Sequence, residues 1–212
     1  AYGQLAYTGV NLAGAEFGAL LNSINTQNII AVNTTSASHD FSQSLSGNGR
    51  VIVSATRSRA EKYDTVFPRY FVEALKGHAA DRDKNRRVSV LEAFNYAKAR
   101  VDSYFKNQGM LATEHATLDD NGDGVFSPNP DGRGDGRLAE IAYFDVSGAG
   151  ATNLSPEAAR LRTQMSSLER DIFLLRANKA SLTESEYWAR LEPLLIELAK
   201  ITREFDGLPT TE

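Results

Sequence analysis

An α/β domain followed by an antiparallel helical hairpin is the architecture this sequence predicts, on three observations. Two short runs, Asn28-Ile-Ile-Ala-Val-Asn33 and Arg50-Val-Ile-Val-Ser-Ala-Thr56, are continuous and β-branched rather than alternating. Strands buried on both faces of a parallel sheet read that way. Helical periodicity over Val66 to Lys76 and Ser89 to Lys106 supplies the covering layer. From Ser155 onward, apolar residues step by three and four along two arms, as a coiled-coil seam does.

The elements follow in order. Leu12, Ala15, Phe17, Leu20 and Leu21 suit a short amphipathic helix over Leu12 to Asn22. A polar, Ser- and Gly-rich linker joins the two strands. The helix ending at Lys76 is closed by Gly77, and the next carries Leu91, Phe94, Ala97, Val101 and Tyr104 or Phe105 along one stripe. Asp119 to Arg137 is dense in Asp, Asn, Gly and Pro, which excludes regular structure but suits an ordered loop. Ile141 to Val146 reads as a short strand. The domain is set at residues 1–146, with a Gly/Ala/Ser-rich linker at 147–154 and the hairpin at 155–212. Ser155-Pro156 is an N-cap and N1 pair opening the seam Leu161, Met165, Leu168, Ile172 and Leu175. Thr183 with Glu186 forms a capping box for the second arm, which presents Tyr187, Leu191, Leu194 or Leu195, Leu198, Ile201 and Phe205. Pro193 is expected to kink or delay that arm.

Composition narrows the chemistry. No cysteine occurs among the 212 residues, which removes disulfides, thiolate zinc sites and thiol nucleophiles together. A net charge of -4 argues against a nucleic-acid partner. No apolar run is long enough for a signal peptide or membrane span, and the absence of an initiator Met at Ala1 suggests an upstream segment.

The strand ending at Asn33 runs into Thr34-Thr-Ser-Ala-Ser-His-Asp-Phe41, and Val51-Ile-Val-Ser-Ala-Thr-Arg-Ser58 is followed by Phe67-Pro-Arg-Tyr-Phe-Val-Glu-Ala-Leu75. Over roughly residues 5–107 this resembles the second half of a bacterial caspase-like or legumain-like cysteine peptidase domain. The resemblance implies a caspase-like parallel-sheet fold, incomplete at its N-terminus. The family's nucleophile lies in a Cys-x-Ser-Gly pattern. With Ser38 as the serine of that pattern, the nucleophile position falls on Ser36. The cysteine is therefore replaced, and none of His39, His78 and His115 stands in the family's His-Gly context. Serine is a poor nucleophile without an adjacent base, so the resemblance implies an inactive peptidase fold. It also implies export or a periplasmic location, the alternative being cytoplasmic.

The run Ser38-His39-Asp40 is a polar loop after a strand, because neighbouring side chains diverge and triads are made by spatial convergence. His78 is read as a cap or surface residue and His115 as an ordering hydrogen-bond partner.

Two acidic stretches point to calcium. Asp81, Asp83, Asn85, Ser89 and Glu92 occupy positions one, three, five, nine and twelve of an EF-hand loop, with the Arg87 carbonyl at seven, Val88 at eight and predicted helices on either side. Position six, normally glycine because φ is positive there, is Arg86, at a cost of about 1 kcal/mol. The second stretch offers Asp119, Asn121, Asp123 and the Val125 carbonyl with Gly124 at position six. Its twelfth position is Pro130, so Asp131 and Asp135 are the candidates to close the shell. Crowded carboxylates repel, and a hard divalent cation is the usual remedy, here in a structural role.

Three function classes emerge. One is an inactive, calcium-stabilised peptidase-like domain that binds a peptide or protein partner, which includes an upstream segment of the same precursor. A second is a hydrolase using Ser36 with a histidine from that segment. The third is an assembly module in which the hairpin, residues 155–206, forms a homo-oligomer. Charged outer faces at Arg160, Arg170, Asp171, Glu184 and Glu192 exclude a membrane-anchoring role for the hairpin.

Overall fold

The computed structural model describes residues 4–5, 12–24, 29–77, 79–85, 87–144 and 155–208. His78, Arg86 and the linker 147–154 lie outside the described residues, as do positions 145–146 of the strand expected at Ile141 to Val146. Two compact units divide the chain, Ala1–Phe144 and Asp145–Glu212.

In the first unit a two-stranded antiparallel pair, β1 (Gln4–Leu5) and β2 (Leu12–Ala13), leads into helix α1 (Gly14–Ser23). A sheet of order β3-β4-β5 follows, built from β3 (Ile29–Asn33), β4 (Arg50–Ser54) and β5 (Thr117–Asp119). β3 and β4 are parallel, in register from Ile29 opposite Arg50 to Asn33 opposite Ser54. The remaining helices are α2 (His39–Gln43), α3 (Phe67–Lys76), α4 (Val90–Asn107) and α5 (Arg137–Ile141). The fold is α/β, with both predicted strands and both covering helices present.

The buried, non-alternating character of β4 has a direct cause. Val51 and Val53 point into a core with Phe67, Phe71, Phe94 and Leu118, beneath α3 and α4. Ile52 points the opposite way, into a smaller core with Leu21, Phe41, Leu45 and Phe126, beneath α1 and α2. Each fully buried phenylalanine contributes about 1.5–3 kcal/mol through burial. Phe67 and Phe94 add a tilted ring contact at 6.3 Å.

Three expectations are corrected. The sheet is mixed, not wholly parallel, because β5 runs antiparallel to β4 with Ile52 opposite Asp119 and Ser54 opposite Thr117. β5 is only three residues long with Leu118 as its one large apolar side chain, too short for periodicity to mark. Residues 141–144 are not a strand: Ile141 ends α5, and Tyr143 makes a single antiparallel bridge to Ser89. The linker between β3 and β4 contains α2, where Phe41 is buried.

The second unit is a helical hairpin of α6 (Pro156–Ala177) and α7 (Glu184–Asp206), joined through a 3₁₀ turn at Lys179–Ser181. Ser155 Oγ accepts the Ala158 amide at 3.1 Å, and Thr183 forms its capping box with Glu186. Leu161 and Met165 pack with Ile201 and Phe205, while Ile172 packs with Tyr187 and Leu191. Pro193 does not delay the second arm, which starts at Glu184 and continues through the proline. Pro193 is exposed, so the hydrogen bond it removes lies on the solvent side. Trp188 is 52% exposed and meets the Tyr187 ring edge-on at 5.5 Å.

Candidate functional site

The loop between α3 and α4 brings Asp81, Asp83 and Glu92 together. One carboxylate oxygen from each lies within 4.8 Å of the others, a geometry that can hold a metal ion. Local sequence chemistry builds it. Ser89 is the N-cap of α4 and accepts the Glu92 amide at 3.2 Å. Glu92 returns to the Ser89 amide at 2.9 Å and the Ser89 hydroxyl at 3.1 Å. Its other oxygen accepts the Arg82 amide at 2.7 Å, which ties the front of the loop to the helix start. Asn85 donates its amide to Asp81 at 3.1 Å and to Asp83 at 3.0 Å, and its side-chain oxygen accepts the Arg87 amide at 2.8 Å. Partial desolvation first, then the facing Glu92 and Asp81 charges, raises Asp83 above the ordinary carboxylate range. A cation would offset that cost.

Tyr143 secures this loop from more than fifty residues downstream, and no local pattern announces it. The Arg87 guanidinium carbon stands 3.3 Å from the centre of its ring. Asn85 donates to its hydroxyl at 3.4 Å, and Val90 donates to the Ala142 carbonyl at 2.8 Å.

The second acidic stretch is arranged differently. Asp119 is fully buried, accepting the Ser46 hydroxyl on one oxygen and the Gly122 amide at 3.0 Å on the other. Asn121 and Asp123 turn back onto their own loop, accepting the Asp123 amide at 2.8 Å and the Val125 amide at 2.7 Å. Ser127 bridges to Leu118. Asp131 accepts the Arg133 amide at 3.0 Å near the surface. Asp120, unnoticed in the sequence, accepts the Gly136 and Ala139 amides at 2.8 Å each and thereby starts α5. Asp135 accepts the Asp120 amide at 3.1 Å. Among the described residues, only Asp81, Asp83 and Glu92 bring three such groups within 4.8 Å.

Asp135 is 5% exposed, and its pKa is raised to about 6, by burial first and then by the Asp119 and Asp120 charges. A raised carboxylate contributes stability below its unfolded value, and that contribution is lost as pH rises through about 6. In chelator, the α/β unit is therefore expected to be more stable at pH 5 than at pH 7.5. Asp135→Asn should reduce that difference and add about 1–2 kcal/mol at pH 7.5, read by urea denaturation with circular dichroism.

The turn holding Ser36 follows β3, and the amides of Thr35, Ala37 and Ser38 around it are committed to the protein. Thr35 donates to the Asn33 side chain at 3.2 Å, Ala37 to the Glu61 carbonyl at 2.7 Å, and Ser38 to the Thr56 hydroxyl at 2.8 Å. Ala37 sits at φ 49°, a left-handed conformation uncommon outside glycine. Ser38 is 1% exposed, its hydroxyl 2.9 Å from that of Ser54 and 3.0 Å from that of Thr56, so it ties the turn after β3 to the C-terminal end of β4. His39 faces the Phe126 ring edge-on at 5.4 Å, as a packing residue does. His115 places Nδ1 2.6 Å from the Glu61 carboxylate, the ordering role expected of it. Glu114, not singled out from the sequence, is 2% exposed and accepts the Val66 and Phe67 amides at 2.7 and 3.2 Å, capping α3.

No helix among the described residues is long and apolar enough to cross a membrane. No family model matches the chain, and no curated protein or solved structure gives a match.

Proposed function

We propose that the chain is a non-catalytic, peptidase-like α/β module, stabilised by calcium in the 81–92 loop, that acts by binding a peptide or protein. The observation that carries the non-catalytic reading is the commitment of the amides around Ser36. Acyl transfer needs donors aimed at the developing oxyanion, and losing one such donor costs on the order of 10²–10³ in rate. The amide following Ser36 is occupied by the Glu61 carbonyl, and the next by Thr56. The acidic convergence at Asp81, Asp83 and Glu92 supports the cation. Calcium is favoured over magnesium by the EF-hand spacing of the loop sequence. Extracellular calcium would saturate a weak site of this kind, which fits the exported or periplasmic location.

Calorimetric titration with calcium chloride, paired with scanning calorimetry in chelator, tests the cation. Saturation to ten times the dissociation constant should add about 1.4 kcal/mol, a rise of about 3–5 °C in the melting temperature. Neither heat nor shift would sink the calcium half of the reading.

A serine hydrolase is the second reading, and the Glu61–His115 pair beside the turn favours it. A carboxylate orients the imidazole, and the same residue's carbonyl holds the Ala37 amide. A fluorophosphonate probe separates the two. The proposed module leaves Ser36 unlabelled, whereas labelling of Ser36 that disappears in His115→Ala would establish the hydrolase.

A further inference from the structure

β3 has the sequence of an interior strand and the exposure of an edge strand. Its side chains are covered on both faces: Ile30 and Val32 pack against the Phe67–Phe94 core, Ile29 and Ala31 against the Leu21–Phe41 core. Its neighbour β4, covered in the same two ways, is 0–1% exposed at Val51, Ile52 and Val53. All five residues of β3 nevertheless remain half-buried. Among the described residues, β4 is the one strand beside it.

Hydrogen-bond parity says what is displayed there. Ile29 donates to Gly49 at 3.2 Å and the Asn33 carbonyl accepts from Ala55 at 2.9 Å, so Ile29, Ala31 and Asn33 face β4. The main-chain donors and acceptors of Ile30 and Val32 therefore face outward, where no strand pairs among the described residues. Exposed edges are ordinarily protected by charge, proline or a bulge. Ile29-Ile-Ala-Val-Asn33 carries none of the three.

We propose that this edge pairs with β3 of a second copy of the chain, antiparallel about a two-fold axis at Ala31. That register sets Ile30 of each copy opposite Val32 of the other, so outward-facing residues exchange both hydrogen bonds at two positions, four bonds in all. Ile30 and Val32 of both copies then meet on one face as β-branched cross-strand pairs, and the two Ala31 residues meet on the other without a clash of bulk. An uncharged strand has no like-charge repulsion against itself, which makes a second copy the fitting occupant. The three-stranded sheet becomes six-stranded. A five-residue pairing is small beside a standard interface, so the association is weak, with a dissociation constant in the micromolar range. This inference is independent of the cation reading.

Sedimentation of the full chain over roughly 1–200 µM should show concentration-dependent doubling of mass. Hydrogen exchange by NMR should show the Ile30 and Val32 amides protected in proportion to the dimer fraction. Val32→Pro removes one outward donor per copy and should raise the dissociation constant about tenfold or more. If that variant loses its circular dichroism signature, exchange in the unmodified chain decides. A monomer at every concentration overturns the proposal. Protection of those amides in the monomer would do the same by placing another segment of the chain on the edge, and a dimer indifferent to Val32→Pro would place the contact elsewhere.

Discussion

Gly18→Ala is expected to destabilise the α/β unit by about 3 kcal/mol, although alanine is the better helix former. A Cβ on Gly18 would stand 2.3 Å from the Ser44 carbonyl oxygen, a backbone atom at the end of α2 that cannot swing aside. Helix propensity alone would favour alanine by about 1 kcal/mol. Overpacking that forces a backbone shift costs about 1–3 kcal/mol and occasionally more, and a gap this short belongs at the upper end. Sterics win. Gly77→Ala is the control, since nothing lies within 4 Å of its Cβ position and its φ is -144°, open to any residue. Its effect should stay within about 0.5 kcal/mol. Urea denaturation followed by circular dichroism reads both, and an unchanged midpoint for Gly18→Ala would mean that α1 and α2 do not touch as described.

Glu92→Ala should cost about 3 kcal/mol and abolish the response to calcium. The side chain accepts the Ser89 amide and hydroxyl and the Arg82 amide, so its removal strips half of a capping box and orphans a loop donor at once. A capping interaction is worth about 1 kcal/mol and a hydrogen bond to a charged group about 1.5–3 kcal/mol. Glu92→Gln separates the roles: it keeps the length and an accepting oxygen, so it should lose less than half as much stability while still losing the calcium-dependent rise in melting temperature. A Gln variant that retained the full calcium response would remove Glu92 from the ligand set.

What was legible in the sequence was what nearby residues decide. Ser89 with Glu92 and Thr183 with Glu186 announce helix starts because donor and acceptor sit three residues apart. The same spacing placed Asp81, Asp83 and Glu92 at one site, since a twelve-residue loop ending in a helix's first turn has few ways to arrange them. The arrangement of the second acidic stretch was not legible, because its buried carboxylates answer to distant donors. Asp120 caps α5 from 16 and 19 residues upstream, and Ser46 reaches Asp119 across 73. Composition sees the charges there but not the amides that occupy them. Glu114, capping α3 from 48 residues away, and β5, three residues long, are illegible for the same reason.

Trp188 is the only tryptophan in the chain and belongs to the hairpin unit, where it packs on Tyr187 and remains half open to solvent. Fluorescence excited at the indole band is therefore a private signal of α7. An emission shift on heating would record the hairpin letting go while the α/β unit, with its loops and its sheet, stays optically silent. A dye-free thermal screen that follows tryptophan therefore reads the melting of the hairpin, and binding at the 81–92 loop calls for a probe placed in the α/β unit itself.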